Sequence, residues 1–84
     1  MPWSPIPGMK KAVRALREKG YEKQVTTTVL RKELTRQTGT TRDQSLSNYM
    51  KTMVEFNLIA PAKTEDGRGI PGVWVIQDEE DWEI

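Results

Sequence analysis

The sequence predicts a small α+β domain in which three helices precede a two-stranded β-hairpin. Three observations carry this prediction. Apolar residues recur at helical spacing in three segments ahead of residue 57. Glycine or asparagine follows each of these segments. A β-rich run at residues 73–77 comes after a turn that contains Asp66-Gly67. With 84 residues, 36% of them hydrophobic, the chain has room for one modest core.

The first predicted helix covers residues 9–19, and Gly20 is expected to end it in a left-handed conformation. Four apolar residues have the i, i+3, i+4, i+7 spacing of an amphipathic helix: Met9, Ala12, Val13 and Leu16. Three prolines within residues 1–8 predict an extended N-terminal arm. The domain proper is therefore predicted to span residues 9–77, followed by an acidic tail at residues 78–84.

Two further helices are predicted on either side of a glycine break. The second begins within the three threonines at residues 26–28, whose hydroxyls suit an N-cap, and runs to about Thr38. The third begins at Thr40 or Thr41 and runs to residue 56. The carboxylate of Asp43 is expected to interact favourably with the dipole of the third helix near its N-terminus, and to complete a capping box. Asn57 is expected to end the helix in a left-handed conformation.

The hairpin is predicted to contain a strand at residues 58–63, a loop at residues 65–72 and a returning strand at residues 73–77. Pro61 limits the first strand to the edge of a sheet. A connector at residues 21–25 is able to add one further short strand.

Composition excludes several kinds of chemistry. The chain has no cysteine and no histidine, so it lacks zinc ligands and the imidazole base of the common nucleophilic enzymes. We therefore expect no catalytic site, metal, cofactor or small-molecule substrate. The longest uncharged apolar run, residues 70–77, is far too short to cross a membrane. Residues 1–9 lack the apolar stretch of a signal peptide. We expect an intracellular, cytoplasmic protein.

Charge is distributed unevenly along the chain. Five of the 12 acidic residues lie in the last seven positions, so residues 1–77 carry 13 basic and 7 acidic side chains, a net charge of +6. A basic body favours a polyanionic partner. The alternative is a solvated basic surface with a disordered tail. The tail itself either only solvates the chain or folds back on the basic face and weakens non-specific binding.

The order of elements resembles the winged helix-turn-helix superfamily of DNA-binding proteins over residues 9–77. The clearest segment is Tyr49-Met50-Lys51-Thr52-Met53-Val54-Glu55-Phe56-Asn57-Leu58-Ile59, which looks like a recognition helix that passes into the wing. Most members have glycine where this chain has Asn57. The resemblance implies a protein that binds double-stranded DNA with the third helix in the major groove. It also implies a regulatory role in transcription or in a plasmid or viral process.

The outward face of the third helix supplies the candidate base-reading residues. Helical spacing places five polar residues opposite the apolar side: Thr41, Gln44, Asn48, Lys51 and Glu55. Ser45 and Thr52 lie on the flank. Glutamine and asparagine pair with adenine edges, and serine and threonine suit several bases. Serine, threonine and asparagine are poorer helix formers than glutamate and lysine. Base readout would explain why they occupy the exposed first turns of this helix. The alternative is an ordinary polar helix face.

Phosphate contacts are expected from Lys51, which lies nearer the DNA backbone than Gln44 and Asn48, and from residues around this helix. Arg42 either reaches a phosphate or pairs with an acidic neighbour. Thr28 and Arg31 belong to the second helix, whose N-terminus suits an anion. Arg68 lies between two glycines at the wing tip, where arginine suits a narrow minor groove. Lys63 is a weaker phosphate candidate.

The tryptophans suggest further contacts. Trp74 is expected in the core, whereas Trp3 and Trp82 either cover the core or form a dimer contact. A homodimer is expected because a domain this small often gains stability from a second copy. A protein–protein interaction module within a larger assembly is the alternative function. The scarcity of glutamate and lysine over residues 41–48 favours DNA.

Overall fold

A computed structural model describes residues 4–84. Within that range the chain forms three helices and a three-stranded antiparallel sheet, so the α+β prediction is confirmed. The elements, in chain order, are α1 (Ile6–Glu18), β1 (Gln24–Thr26), α2 (Thr27–Thr38), α3 (Asp43–Glu55), β2 (Ile59–Lys63), β3 (Gly69–Ile76) and a 3-10 turn (Glu79–Asp81). None of the helices within residues 4–84 is long and apolar enough to cross a bilayer.

α1 begins at Ile6, three residues before the predicted start, so residues 6–8 are helical and not part of an extended arm. Proline is tolerated in the first turn of a helix, where backbone N–H groups have no intrahelical partner. Gly8 then packs closely against the end of α2. A Cβ atom at residue 8 would lie 2.7 Å from Thr38 Cγ2, so the helices could not approach this closely with a larger residue.

The sheet has three strands because residues 24–26 pair with the returning strand of the hairpin. The strand order is β1-β3-β2, with all neighbours antiparallel. β2 lies at an edge, as Pro61 predicts. β3 begins at Gly69, four residues before the predicted start, and a register shift between Pro61 and Lys63 accommodates the pairing.

One core lies between the helices and the sheet. Each of the three helices contributes one apolar side, and the sheet contributes one face. Its largest fully buried side chains are Met9, Leu16, Leu30, Leu34, Met53, Leu58 and Ile59. α1 and α2 therefore pack together on one side of this core, and α3 packs against β2 on another.

The turn between α2 and α3 is longer than predicted. α2 ends at Thr38, followed by Gly39 at φ +74°. α3 begins at Asp43, so Thr41 and Arg42 precede the helix and Thr41 does not lie on its outward face. The predicted capping box is also wrong: the N-cap residue is Arg42, without a side-chain cap. The carboxylate of Asp43 accepts a hydrogen bond from Arg31 across the turn, at 2.6 Å.

The end of α3 follows the prediction. Asn57 has φ +64°, the left-handed conformation that lets the chain leave a helix sharply. The Leu58 N–H donates to the carbonyl of Met53 at 2.8 Å, and the Asn57 N–H donates to that of Val54 at 3.1 Å. The chain therefore passes directly from α3 into β2.

The acidic C-terminal segment folds back onto the domain. Trp82 packs against the core, and its indole N–H donates to the carbonyl of Gln77 at 3.2 Å. The Glu83 N–H donates to the carbonyl of Phe56 at 2.9 Å, and the Asn57 amide donates to that of Asp81 at 3.0 Å. Trp82 thus covers the core of its own domain. Trp3 lies outside the described residues.

Candidate nucleic-acid interface

The outward face of α3 carries most of the predicted base-reading residues. Gln44, Asn48 and Lys51 are exposed there, on the side of the helix away from buried Leu46, Met50 and Met53. Glu55 is exposed at the far end. Ser45 and Thr52 are half-buried on the flank, and the Thr52 hydroxyl donates to the carbonyl of Asn48 at 3.0 Å. The structure therefore brings four of the five residues predicted for the third-helix face onto one surface, and Thr41 is the exception.

Two residues near this face differ from the sequence prediction. Thr41 is exposed, but in the turn before α3. Ser47 is also exposed on α3, and the sequence prediction missed it. At 100° per residue, Ser47 lies at the edge of the outward face, beyond Lys51, where helical spacing does not distinguish solvent from a neighbouring element.

The three threonines at residues 26–28 have separate roles. Thr26 is the N-cap of α2, and its hydroxyl accepts from the Val29 N–H at 3.4 Å. The hydroxyl of Thr27 accepts from the indole N–H of Trp74 at 2.9 Å, which links α2 to the sheet. Thr28 is exposed, and its hydroxyl forms no hydrogen bond with residues 4–84. Only Thr28 therefore remains available to an outside partner.

The two predicted arginines near the start of α3 behave differently. Arg31 pairs with Asp43 at 2.6 Å, and its side chain is 31% exposed. Arg42 is exposed and forms no ion pair with the described part of the chain. The intramolecular pair considered for Arg42 is therefore made by Arg31. As a phosphate contact, Arg31 has to share its guanidinium with Asp43, whereas Arg42 is unengaged.

The hairpin turn presents Arg68 to solvent. The Thr64 N–H donates to the carbonyl of Arg68 at 2.8 Å, and the Arg68 N–H donates to the Thr64 hydroxyl at 3.2 Å. These bonds fix the backbone of the turn while the Arg68 side chain remains exposed and without an ion pair among residues 4–84. Glu65 and Asp66 are exposed in the same turn. The local charge at the tip is therefore mixed.

Acidic side chains from the C-terminal segment form ion pairs with two arginines of α1. Arg14 pairs with Glu79 and lies over the ring of Trp82, 5.6 Å from its centroid. Arg17 pairs with Asp78 at 2.9 Å and also donates to the carbonyl of Gln77 at 3.0 Å. Such exposed pairs contribute little to stability, but they occupy two of the α1 cations, Arg14 and Arg17.

The cations that form no ion pair within residues 4–84 lie in two groups. Those on α2, on α3 with its preceding turn, and on the hairpin are Lys32, Arg42, Lys51, Lys63 and Arg68. Those on α1 and the following connector are Lys10, Lys11 and Lys23. Within the first group, Lys51 lies on the exposed polar face of α3 and Arg42 directly precedes that helix. The same elements carry exposed Glu55, Glu65 and Asp66 without ion pairs in the described range, so the first group is only partly compensated.

Glu33 is a buried acid that the sequence prediction missed. Its side chain, 4% exposed, accepts from Lys19 at 2.7 Å, from Gln37 at 3.1 Å and from Arg36 at 3.4 Å. Burial raises the pKa of Glu33, but the hydrogen bonds and the positive charges of its partners lower the pKa further, so the net shift is downward. Glu33 thus joins the end of α1 to α2, a structural role. Helical spacing places it beside Leu34, but no pattern in the sequence identifies its partners.

Comparison with other proteins adds no relative to this description. None of the protein families, characterised proteins or solved structures compared with the chain matches it. Among residues 4–84, no three acidic side chains form a group that could hold a metal ion. The functional assignment consequently depends on the surface formed by α2, α3 and the β2–β3 hairpin.

Proposed function

We propose that the chain is a winged helix-turn-helix domain that binds double-stranded DNA with α3 in the major groove. The element order and the strand order β1-β3-β2 support the fold assignment. In this proposal α2 and α3 are the helix-turn-helix, and β2 and β3 are the wing. Because one fold hosts many functions, the functional part has to be supported by the side chains of the surface.

The observation that carries the proposal is the unengaged polar face of α3. The side-chain amides of Gln44 and Asn48 are exposed and form no hydrogen bond with residues 4–84. Elsewhere in the domain, the amides of Gln37 and Asn57 donate to Glu33 and to the carbonyl of Asp81. An amide of this kind recognises adenine by two hydrogen bonds in the major groove. Gln44 and Asn48 lie one turn apart and can address successive base pairs.

Cations and an exposed hydroxyl around this face support contacts with the DNA backbone. Arg42 precedes α3, Lys51 lies one turn beyond Asn48, and Thr28 is at the exposed start of α2. Arg68 extends the set to the hairpin tip. The three cations form no ion pairs with residues 4–84, so phosphates can engage them without breaking an internal contact. The bound complex should therefore neutralise about three phosphates.

Titration with random duplex DNA at several salt concentrations tests this proposal. We expect the logarithm of the association constant to fall with the logarithm of salt concentration at a slope of about −3, from about −0.9 for each phosphate contact. Association that does not depend on salt, or no association at low salt, would contradict DNA binding.

Two substitutions on α3 separate base reading from anchoring. On a selected preferred site, Asn48→Ala should lose a base contact and about 1–3 kcal/mol of binding free energy, with little change on a scrambled duplex. Lys51→Ala should weaken binding to both duplexes alike and make the salt slope shallower by about one unit. Equal losses of binding free energy for Asn48→Ala on both duplexes would show that Asn48 contacts the DNA backbone and does not read a base. If neither variant changes binding to either duplex, the protein–protein interaction function becomes the better proposal.

We further propose a regulatory role, in transcription or in a plasmid or viral process, with the domain acting as a homodimer on paired half-sites. Sedimentation of the full chain tests the oligomeric part, and a monomer at the concentrations that bind DNA would contradict it. Trp82→Ala is not a clean probe of dimerisation, because Trp82 packs against the core of its own domain.

A further inference from the structure

We infer that the groove between α3 and the sheet is a binding site for a small apolar carboxylate. This α3–sheet groove has a volume of about 510 Å³. That volume lies within the range of about 300–1,000 Å³ for small-molecule sites. Its lining includes, beside two hydroxyl residues, four apolar and two basic residues: Met50, Val54, Pro61, Trp74, Arg31 and Lys51.

The apolar walls of the α3–sheet groove come from α3 on one side and from two strands of the sheet on the other. Met50 and Val54 lie one turn apart on α3, and Pro61 and Trp74 pair across β2 and β3. The indole N–H of Trp74 donates to Thr27 at 2.9 Å, so the ring is held in place before any ligand arrives. A preorganised aromatic wall lowers the entropic cost of binding an apolar body.

The charge of the α3–sheet groove specifies the ligand further. Arg31 and Lys51 line it, and none of the acidic residues within positions 4–84 does. Lys51 forms no ion pair with residues 4–84, and Arg31 uses only its Nη2 atom toward Asp43, which lines a different cleft. An apolar compound would leave these cations unused, whereas a phosphate backbone would leave the apolar walls without a partner. A compact carboxylate with an aromatic or aliphatic body satisfies both.

A ligand in the α3–sheet groove would also affect the proposed DNA surface, because Lys51 belongs to both. Occupation by a carboxylate should engage Lys51 and weaken DNA binding. This consequence rests on the proposed function, whereas the binding site itself does not. The first experiment therefore uses the full chain without DNA.

The probe is 2-naphthoate, and the matched control is the uncharged 2-naphthylmethanol. In ¹H–¹⁵N spectra, 2-naphthoate should shift the indole resonance of Trp74 saturably and leave that of Trp82 unchanged, because Trp82 donates to Gln77 outside the groove. We expect a Kd of about 1 mM or tighter for a ligand of this size. The uncharged control should bind about fivefold more weakly, as expected for loss of one exposed ion pair.

Two variants and a control complete the test. Val54→Asp should abolish the Trp74 shift, and Lys51→Gln should remove most of the difference between the two compounds. Lys23→Gln, which removes the same charge away from the groove, should leave both affinities unchanged. An unshifted Trp74 resonance in the folded protein, an equal response of Trp82, or equal affinity for the uncharged compound would overturn the inference. If the ligand-free wild type does not bind DNA at low salt but does bind 2-naphthoate, the proposed function alone is overturned.

Discussion

The α1–tail face, formed by α1 and residues 78–84, and the α2–α3–hairpin face both carry basic residues but use them differently. On the α1–tail face, Arg14 and Arg17 pair with Glu79 and Asp78. On the α2–α3–hairpin face, Arg42, Lys51 and Arg68 form no ion pair within residues 4–84. The overall net charge of +1 describes neither face. The position of the acids decides which cations remain available to a partner.

The two faces also differ in what holds them. The α1–tail face is fixed by packing of Trp82, by the hydrogen bond from the Glu83 N–H to the Phe56 carbonyl and by the bond from the Asn57 side-chain amide to the Asp81 carbonyl. The polar face of α3 has no such internal partners. The comparison therefore predicts that substitutions on the α1–tail face change folding stability, whereas those on the α2–α3–hairpin face change binding.

The largest effect is expected for Trp82→Ala. A fully buried tryptophan loses about 3–5 kcal/mol when replaced by alanine, so half-buried Trp82 should lose about 2–3 kcal/mol of unfolding free energy. Urea denaturation measures this change. Glu80→Ala, in the same segment and without an ion pair among residues 4–84, is the control and should be nearly neutral. An unchanged unfolding midpoint for Trp82→Ala would mean that the tail is not docked.

A smaller loss is expected for Glu33→Gln, about 1–2 kcal/mol at neutral pH, because charge-assisted hydrogen bonds at the α1–α2 contact are weakened. The pKa of Glu33 is lowered from its ordinary value of 4.5 in the folded protein. The contribution of its charge is therefore present above that value and is lost as the pH falls through the lowered pKa. Denaturation as a function of pH should show the wild type and the variant converging in acid. A difference between wild type and variant that does not shrink at any pH below 4.5 while both remain folded would contradict the role of the charge.

The smallest stability effect is expected for the double variant Asp78→Asn with Glu79→Gln. Exposed ion pairs contribute about 0–1 kcal/mol, so folding should change little. Arg14 and Arg17 lose their partners, but they lie on the α1–tail face, so the salt slope for random duplex DNA should change by less than about one unit. Glu80→Gln with Asp81→Asn removes the same charge from side chains without ion pairs in the described range. A slope that steepens by about two units for the first double variant alone would contradict the account, because DNA would then also contact the α1–tail face. An equal change for both double variants would show that only net charge matters.

Much of the fold could be predicted from the sequence, because its signals are local. Helical spacing and the left-handed cap at Asn57 located three helices, and Pro61 indicated an edge strand. The start of α1 was predicted too late, since prolines in a first helical turn look the same as prolines in an extended arm. The docking of Trp82 depends on contacts between residues distant in sequence. The sequence alone therefore did not distinguish packing of Trp82 on its own core from a dimer contact.

The candidate site was predictable in part for the same reason. Periodicity identified the exposed positions of Gln44, Asn48 and Lys51. It did not identify the Arg31–Asp43 pair, because that contact depends on the length of the turn between α2 and α3. The α3–sheet groove could not be predicted either. From the sequence alone, Trp74 and Met50 are expected in the core, and their place in the groove depends on how α3 packs beside the sheet.

The central claim is that DNA binds the α2–α3–hairpin face and not the α1–tail face. Two triple variants test it, each removing three charges that form no ion pair within residues 4–84: Arg42→Gln, Lys51→Gln and Arg68→Gln in one, Lys10→Gln, Lys11→Gln and Lys23→Gln in the other. The measurement is the salt dependence of random duplex binding. We predict that the first triple brings the slope from about −3 to near zero and that the second changes it by less than about one unit. Equal changes in the two slopes would contradict the claim.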